Sequence, residues 1–292
     1  MPSRALVLGG GGTVGVAWET GIVAALLAEG VPLLEADLIL GTSAGSIVGA
    51  QIASGRDPLE LLESQLAFTP VAPRPSRFAS IAYPFAVLTT GARGLTARKP
   101  FSQAIGAFAR VASRRSESSW VQQIQDTLQV ASWPERYACT VIDTRSGAFR
   151  VLDASVDVDL ARGVAASCSV PGVFPPVTID GHRYMDGGLR TATNADAIGS
   201  YDVVVVLSVA TRTGLPGRLA ARALDREVAL LRARGGRVLT ITPNRECIHA
   251  MGTMLMNNGR RAASSAAGYR QGIEEAQRIL EAWRVQRLDA GV

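Results

Sequence analysis

Ala5-Leu6-Val7-Leu8 runs straight into Gly9-Gly10-Gly11-Gly12-Thr13-Val14-Gly15, and further on Leu38-Ile39-Leu40 runs into Gly41-Thr42-Ser43-Ala44-Gly45. Each is a short apolar stretch, a glycine turn and then a helical pattern. After the first turn, Gly15 to Glu29 carries Val16, Ile22, Val23, Leu26 and Leu27 at the spacing of an amphipathic helix, closed by Gly30 and Pro32. After the second, Ser43 to Ser54 is a run of small and apolar residues suited to close packing on a sheet. Strand, turn and helix, repeated, make a βαβα opening with a parallel sheet. The expected fold is α/β: a three-layer α/β/α sandwich with a mainly parallel central sheet.

The second turn is G-x-S-x-G at a strand-to-helix junction, the elbow that lifts a serine hydroxyl clear of a sheet edge. Gly41 and Gly45 bring helix and strand too close for side chains there. The first turn offers backbone N–H groups at a helix start, the donors that a developing oxyanion requires. Gly10-Gly11-Gly12-Thr13-Val14-Gly15 also fits the G-x-G-x-x-G dinucleotide fingerprint, which expects an acidic residue at the end of the second strand. Glu35 and Asp37 instead precede that strand, which ends in Gly41-Thr42-Ser43, and no Gly-Lys-Ser or Gly-Lys-Thr follows the glycines to make a phosphate loop. The two turns therefore read together as an acyl hydrolase.

The chain has 2 histidines, His182 and His249, from which to draw a base. Ser43, Asp186 and His249 follow the Ser, Asp, His order of an α/β-hydrolase. In that fold, however, the elbow comes after several strands, and Glu246-Cys247-Ile248-His249-Ala250-Met251 has nothing site-like around its histidine. The better candidate is the turn aspartate in Tyr184-Met185-Asp186-Gly187-Gly188, beside glycines that let other backbone approach closely. An aspartate with an ordinary pKa near 3.9 is a weak base toward a hydroxyl, so Asp186 needs a partly desolvated setting, which Tyr184, Met185 and Leu189 can supply.

The glycine loop, the G-x-S-x-G elbow and the late D-G-G resemble, in that order and from Leu6 to about Asp196, the patatin-like phospholipase family. Ser167-Cys168-Ser169-Val170-Pro171-Gly172-Val173-Phe174-Pro175-Pro176 is similar to that family's segment ahead of the aspartate. The resemblance implies one patatin-like acyl hydrolase domain over residues 1–292. It also implies hydrolysis of lipid carboxylic esters, of phospholipase A, lysophospholipase or esterase type, by a Ser43–Asp186 dyad. It places an oxyanion hole at the N–H groups of Gly10, Gly11 and Gly12, makes Gly15, Gly41, Gly45, Gly187 and Gly188 supports of the motifs, and calls for no metal or cofactor. Val14 stands where many members carry Arg or Lys. The missing charge is the best argument for the rival reading, a non-catalytic lipid- or acyl-binding protein on the same scaffold.

With 47% hydrophobic residues the 292-residue chain can bury a sizeable core, and one large domain is expected. The net charge of +5 comes almost wholly from arginine, Lys99 being the only lysine. That balance permits an anionic lipid or a nucleic acid as partner; peripheral contact with an anionic membrane is expected, and no nucleic acid. Cys139, Cys168 and Cys247 are widely spaced in apolar contexts, as buried reduced thiols of a cytoplasmic protein would be; no secretory leader and no apolar run of the roughly 18 residues that span a bilayer are read.

The proline- and aromatic-rich stretch 69–100, with Arg93, Arg98 and Lys99 at its basic edge, reads as a cap or lid. Helices are expected over 101–112, 119–130, 159–168, 218–234 and 260–284. Strands are expected over 138–143 and 149–152 as a pair, and over 203–207 and 238–241.

Overall fold

The computed structural model describes residues 2–69, 115–130, 132–210 and 214–284. Its 8-stranded sheet contains β1 (Arg4–Leu8), β2 (Leu38–Gly41), β3 (Tyr137–Asp143), β4 (Phe149–Leu152), β5 (Val177–Ile179), β6 (His182–Asp186), β7 (Val203–Leu207) and β8 (Arg237–Ile241). The helices among the described residues are α1 (Gly12–Ala28), α2 (Ala44–Ala53), α3 (Pro58–Leu66), α4 (Glu117–Leu128), α5 (Leu160–Ser167), α6 (Gly214–Ala233), α7 (Arg245–Met251) and α8 (Arg261–Trp283). The cap expected over 69–100, apart from Thr69, and the helix expected over 101–112 lie outside the described residues.

β1 lies parallel to β2 on one edge and to β7 on the other, and β8 extends the run beside β7. Alternate strand residues feed opposite faces. Leu6, Leu8, Ile39, Val205 and Leu207 pack into one core with Trp18, Ile22, Val48 and Trp283, whereas Ala5, Val7, Leu40, Val204 and Val206 pack into another with Leu224, Val228 and Leu231 of α6. The layers are thus α1, α2 and α8, then the sheet, then α6, which is the expected sandwich. The free edge of β8 is blunted against further pairing. The carbonyls of Val238, Thr240 and Thr242 accept from Arg232 (3.2 Å), Arg278 (3.1 Å) and Gln271 (2.8 Å).

Two local expectations change. α1 is not amphipathic: every residue from Val14 to Leu26 except Val16 is buried, because the sheet covers one side and α8 the other. The two helices approach until a Cβ on Gly21 would stand 2.2 Å from the Ser265 carbonyl oxygen and one on Gly268 would stand 2.5 Å from that of Trp18. The short helices α3 and α7 were not expected, although each has a capping side chain. Asp57 accepts from the Leu59 N–H, ahead of Pro58 in the first turn, and Asn244 accepts from the Cys247 N–H. No helix among the described residues is long and apolar enough to cross a membrane.

The feature that builds the site is the handling of β3. Cys139 to Ile142 pair with β4 on one edge. On the opposite edge β3 pairs first with β2, up to Gly41 opposite Cys139, and then with the antiparallel β6, from Asp186 opposite Val141 onward. β2 and β6 therefore run toward each other along one edge, and their C-terminal ends meet across Thr140. The residues that follow β2 and those that end β6 are brought together by pairing register alone.

Candidate active site

Ser43 stands two residues past the end of β2, after Thr42, and holds φ 52° and ψ −114°, a conformation rare for a residue with a side chain. The turn is as tight as the glycines suggest. A Cβ at Gly41 would lie 2.4 Å from Ser46 Cα, and one at Gly45 would lie 2.2 Å from the Leu8 carbonyl oxygen. Strand β1 and helix α2 thus touch backbone to backbone, which fixes where the serine stands. Ser43 is 5% exposed.

Asp186 comes to the same place from the other direction and is 3% exposed. Its Oδ1 accepts the Gly188 N–H at 2.7 Å, while Oδ2 has no hydrogen-bond partner among the described residues. Gly187 makes the turn possible, since a Cβ there would fall 2.2 Å from Thr140 Oγ1. Burial raises the Asp186 pKa from 3.8 to about 7, against smaller lowering contributions from the Ser43 hydroxyl and the Gly188 N–H. The Ser43 hydroxyl is thus close enough to act on the carboxyl, though short of full hydrogen-bond geometry. The carboxyl is itself desolvated, and Tyr184, Met185 and Leu189 are buried as well.

The glycine loop runs against the serine, a Cβ on Gly10 standing 3.3 Å from that of Ser43. Of the N–H donors expected there, that of Gly10 is already spent: it donates to the Ala192 carbonyl at 2.7 Å. The N–H groups of Gly11 and Gly12 have no partner among the described residues. The helix begins at Gly12, earlier than the expected Gly15, so both donors sit at the positive end of a long buried helix. Gly12 has φ +59°, and a Cβ there would meet the Leu255 carbonyl oxygen at 2.6 Å. Val14 is buried in the core and puts no charge beside these donors.

The segment Ser167 to Ser169 holds both halves of the pair. Ser167 Oγ accepts the Ser43 N–H at 3.0 Å, and Ser46 Oγ and Cys168 Sγ both donate to the Ser43 carbonyl, at 2.6 and 3.1 Å. The Asp186 N–H donates to the Ser169 carbonyl at 3.1 Å. Behind the pair lies a buried polar group of Thr42, Thr140 and Asn194, in which the two threonine hydroxyls hydrogen-bond at 2.8 Å. Sequence reasoning named Ser167 and Cys168 within a segment and gave neither Thr42 nor Asn194 a part.

Neither histidine joins the pair. His182 opens β6, at the far end from Asp186, where its exposed ring lies 3.1 Å from Asp143. His249 is exposed on α7. The histidine triad weighed above has no counterpart among the described residues.

A family model described as patatin-like phospholipase matches residues 6–198. Lysophospholipase NTE1 of Pyricularia oryzae is 29% identical over 208 residues, which cover 71% of this chain and 12% of that protein. Lysophospholipase nte1 of Aspergillus oryzae is 29% identical over 212 residues, with the same shares of 71% and 12%. This chain therefore spans a small part of the length of the curated relatives it matches. Among solved structures, VipD from Legionella pneumophila aligns over 97% of this chain and 67% of its own, with TM-score 0.48 and 14% identity.

Proposed function

Because the chain belongs to the patatin-like phospholipase family, we propose that it is a serine hydrolase that cleaves carboxylic esters of lipids through Ser43 and Asp186. The observation that carries this reading is the state of one atom: Asp186 Oδ2 is buried, lacks a hydrogen-bond partner among the described residues and belongs to a carboxyl raised to about 7, next to a serine on a strained elbow. A base of that proton affinity is matched to work near neutrality. Ser43 Oγ attacks the ester carbonyl carbon as its proton passes to Oδ2. The carbonyl oxygen becomes an oxyanion, which the Gly11 and Gly12 N–H groups and the α1 dipole stabilise. Collapse expels the alcohol, which takes the proton back from Asp186 and leaves an acyl-serine. Water, deprotonated by Asp186, then releases the acid and restores the serine.

With Val14 in place of a cation, oxyanion stabilisation here rests on backbone donors. Residues beyond the matched span belong to the same unit in this reading, since α8 lies along α1 and Leu255 accepts the Val14 N–H. The relatives' names make lysophospholipids the first lipid substrates to assay. Peripheral attachment to an anionic bilayer through Arg93, Arg98 and Lys99, outside the described residues, is also proposed, and vesicle co-sedimentation with those charges present and neutralised tests it.

The test is hydrolysis of a short acyl ester and of a lysophospholipid by the parent, Ser43→Ala and Asp186→Asn. Activity of the parent on at least one ester, with loss of about 1,000-fold or more in each variant, is expected. Full activity in a folded Ser43→Ala protein overturns the assignment.

A further inference from the structure

The three motifs lie far apart in sequence, and in the structure a fourth segment touches all of them. The Ala192 carbonyl accepts the Gly10 N–H at 2.7 Å, and the glycine loop lies flush on the segment, a Cβ on Gly9 coming within 3.1 Å of Thr193 Cγ2. The Thr193 carbonyl accepts from Thr42 Oγ1, the residue before the nucleophile, at 3.3 Å. Asn194, fully buried, directs its Nδ2 at Thr42 Oγ1 (3.2 Å), at the carbonyl of Gly187 in the D-G-G turn (3.1 Å), at Thr140 Oγ1 (3.4 Å) and at the Thr191 carbonyl (3.0 Å).

The orientation of this amide is determined by its surroundings. Arg190 Nη1 and Thr191 Oγ1 each approach Asn194 Oδ1 at 3.1 Å as donors, so the oxygen must face them and the NH2 must face the site. Arg190 is itself held by an ion pair with Asp196. On either side of Asn194 the chain is clamped from α6. Buried Glu227 accepts from the Thr193 hydroxyl and from the Ala195 N–H at 3.0 Å. Asn194 has φ 51°, in the left-handed region that asparagine tolerates better than most residues.

We propose that Asn194 is a positioning residue of the active site, locking the Asp186 turn to the Ser43 elbow across the point where β2 and β6 meet. It touches neither substrate nor the reacting atoms; it acts through Thr42 and Gly187, each one residue from a member of the pair. Register brings the two strand ends together and the Ser167–Ser169 segment holds the backbone of each, but no ladder bond joins β2 directly to β6. The amide provides that bond, the Thr193 carbonyl adds a second tie to Thr42, and the Ala192 carbonyl extends the lock to the glycine loop. This role of Asn194 presupposes Ser43 and Asp186 as the reacting pair.

The test separates the side chain from the backbone it occupies. Asn194→Gly accepts φ 51° and removes the amide, and Thr42→Val keeps the shape of Thr42 while removing both the acceptor for Asn194 and the donor to the Thr193 carbonyl. Both are assayed on a short acyl ester at a temperature where unfolding curves show the proteins folded. Geometry loosened by a fraction of an ångström is expected to lower kcat by about 30- to 100-fold in Asn194→Gly and by about 10-fold in Thr42→Val, with KM within about threefold of the parent. Water reaching Asp186 is also expected to move the acid limb of the Asn194→Gly pH profile to lower pH. A role in stability alone moves neither kcat nor the profile in folded protein. Parent-like kcat and profile in Asn194→Gly overturn the proposal, as does parent-like kcat in Thr42→Val should Asn194→Gly not fold. A parent inactive on every ester and unlabelled at Ser43 would instead remove the underlying function.

Discussion

A catalytic carboxyl kept in a desolvated site should cost stability, and Asp186→Asn measures that cost. The folded-state pKa of about 7 exceeds the ordinary 3.8 by about three pH units, worth about 4 kcal/mol at roughly 1.4 kcal/mol each. The sign follows from proton counting. Between the two values the folded chain holds a proton that the unfolded chain has lost, so stability falls as pH rises from about 4 to about 7 and is level above. Asparagine removes this dependence and keeps an acceptor for the Gly188 N–H, but its NH2 takes the place of Oδ2, an unpaired buried donor costing on the order of 1–3 kcal/mol. Asp186→Asn should therefore be more stable than the parent by roughly 1–3 kcal/mol at about pH 8, with the advantage gone at about pH 4, while losing its activity. Urea unfolding at those pH values, compared through midpoints at equal slope, reads the difference. Parallel stability curves, or a parent that gains on the variant as pH rises, would refute the buried-base argument.

Other expectations are more local. Gly11→Ala places a Cβ 2.8 Å from Gly15 Cα and from Val209 Cγ1, so the loop must shift; kcat should fall by about 100-fold with less change in KM, since a lost oxyanion donor costs on the order of 3 kcal/mol. His182→Ala and His249→Ala should stay within a few-fold of the parent, and a folded His249→Ala protein as impaired as Ser43→Ala would restore the histidine triad. Glu19, fully buried on α1 with neither carboxyl oxygen partnered among the described residues, has its pKa raised well above the ordinary value by burial. Glu19→Met should accordingly raise the urea midpoint at about pH 8 by more than about 1 kcal/mol equivalent, and a lowered midpoint would show that the carboxyl has an undetected partner.

The parts of this fold that were legible in the sequence are those governed by neighbours in the chain. The βαβα opening, the buried run Val203–Leu207, the hairpin of β3 and β4 and the long terminal helix all announce themselves by period and by glycine. The glycines at 41 and 45 declare their turn because only a missing side chain permits the approach. What the chain concealed depends on distant backbone. The loss of the Gly10 donor comes from the Ala192 carbonyl, and every residue has a carbonyl. α1 looks amphipathic until α8, far along the chain, covers its outer side. The meeting of β2 and β6 is set by their registers on β3, which no local pattern encodes. Asn194 resembles any loop asparagine until its hydrogen bonds to Thr42 and Gly187 are seen.

The central claim is that Ser43 is a nucleophile activated by Asp186 beside preorganised donors. Reaction with a fluorophosphonate probe followed by peptide mass spectrometry tests nucleophile, base and oxyanion donors together, because the phosphonylated serine mimics the tetrahedral state. The account predicts a single labelled peptide carrying the probe on Ser43, no label in Ser43→Ala and a rate reduced by about 100-fold or more in Asp186→Asn. Folded parent protein that stays unlabelled, or that takes the label on another residue, would contradict it.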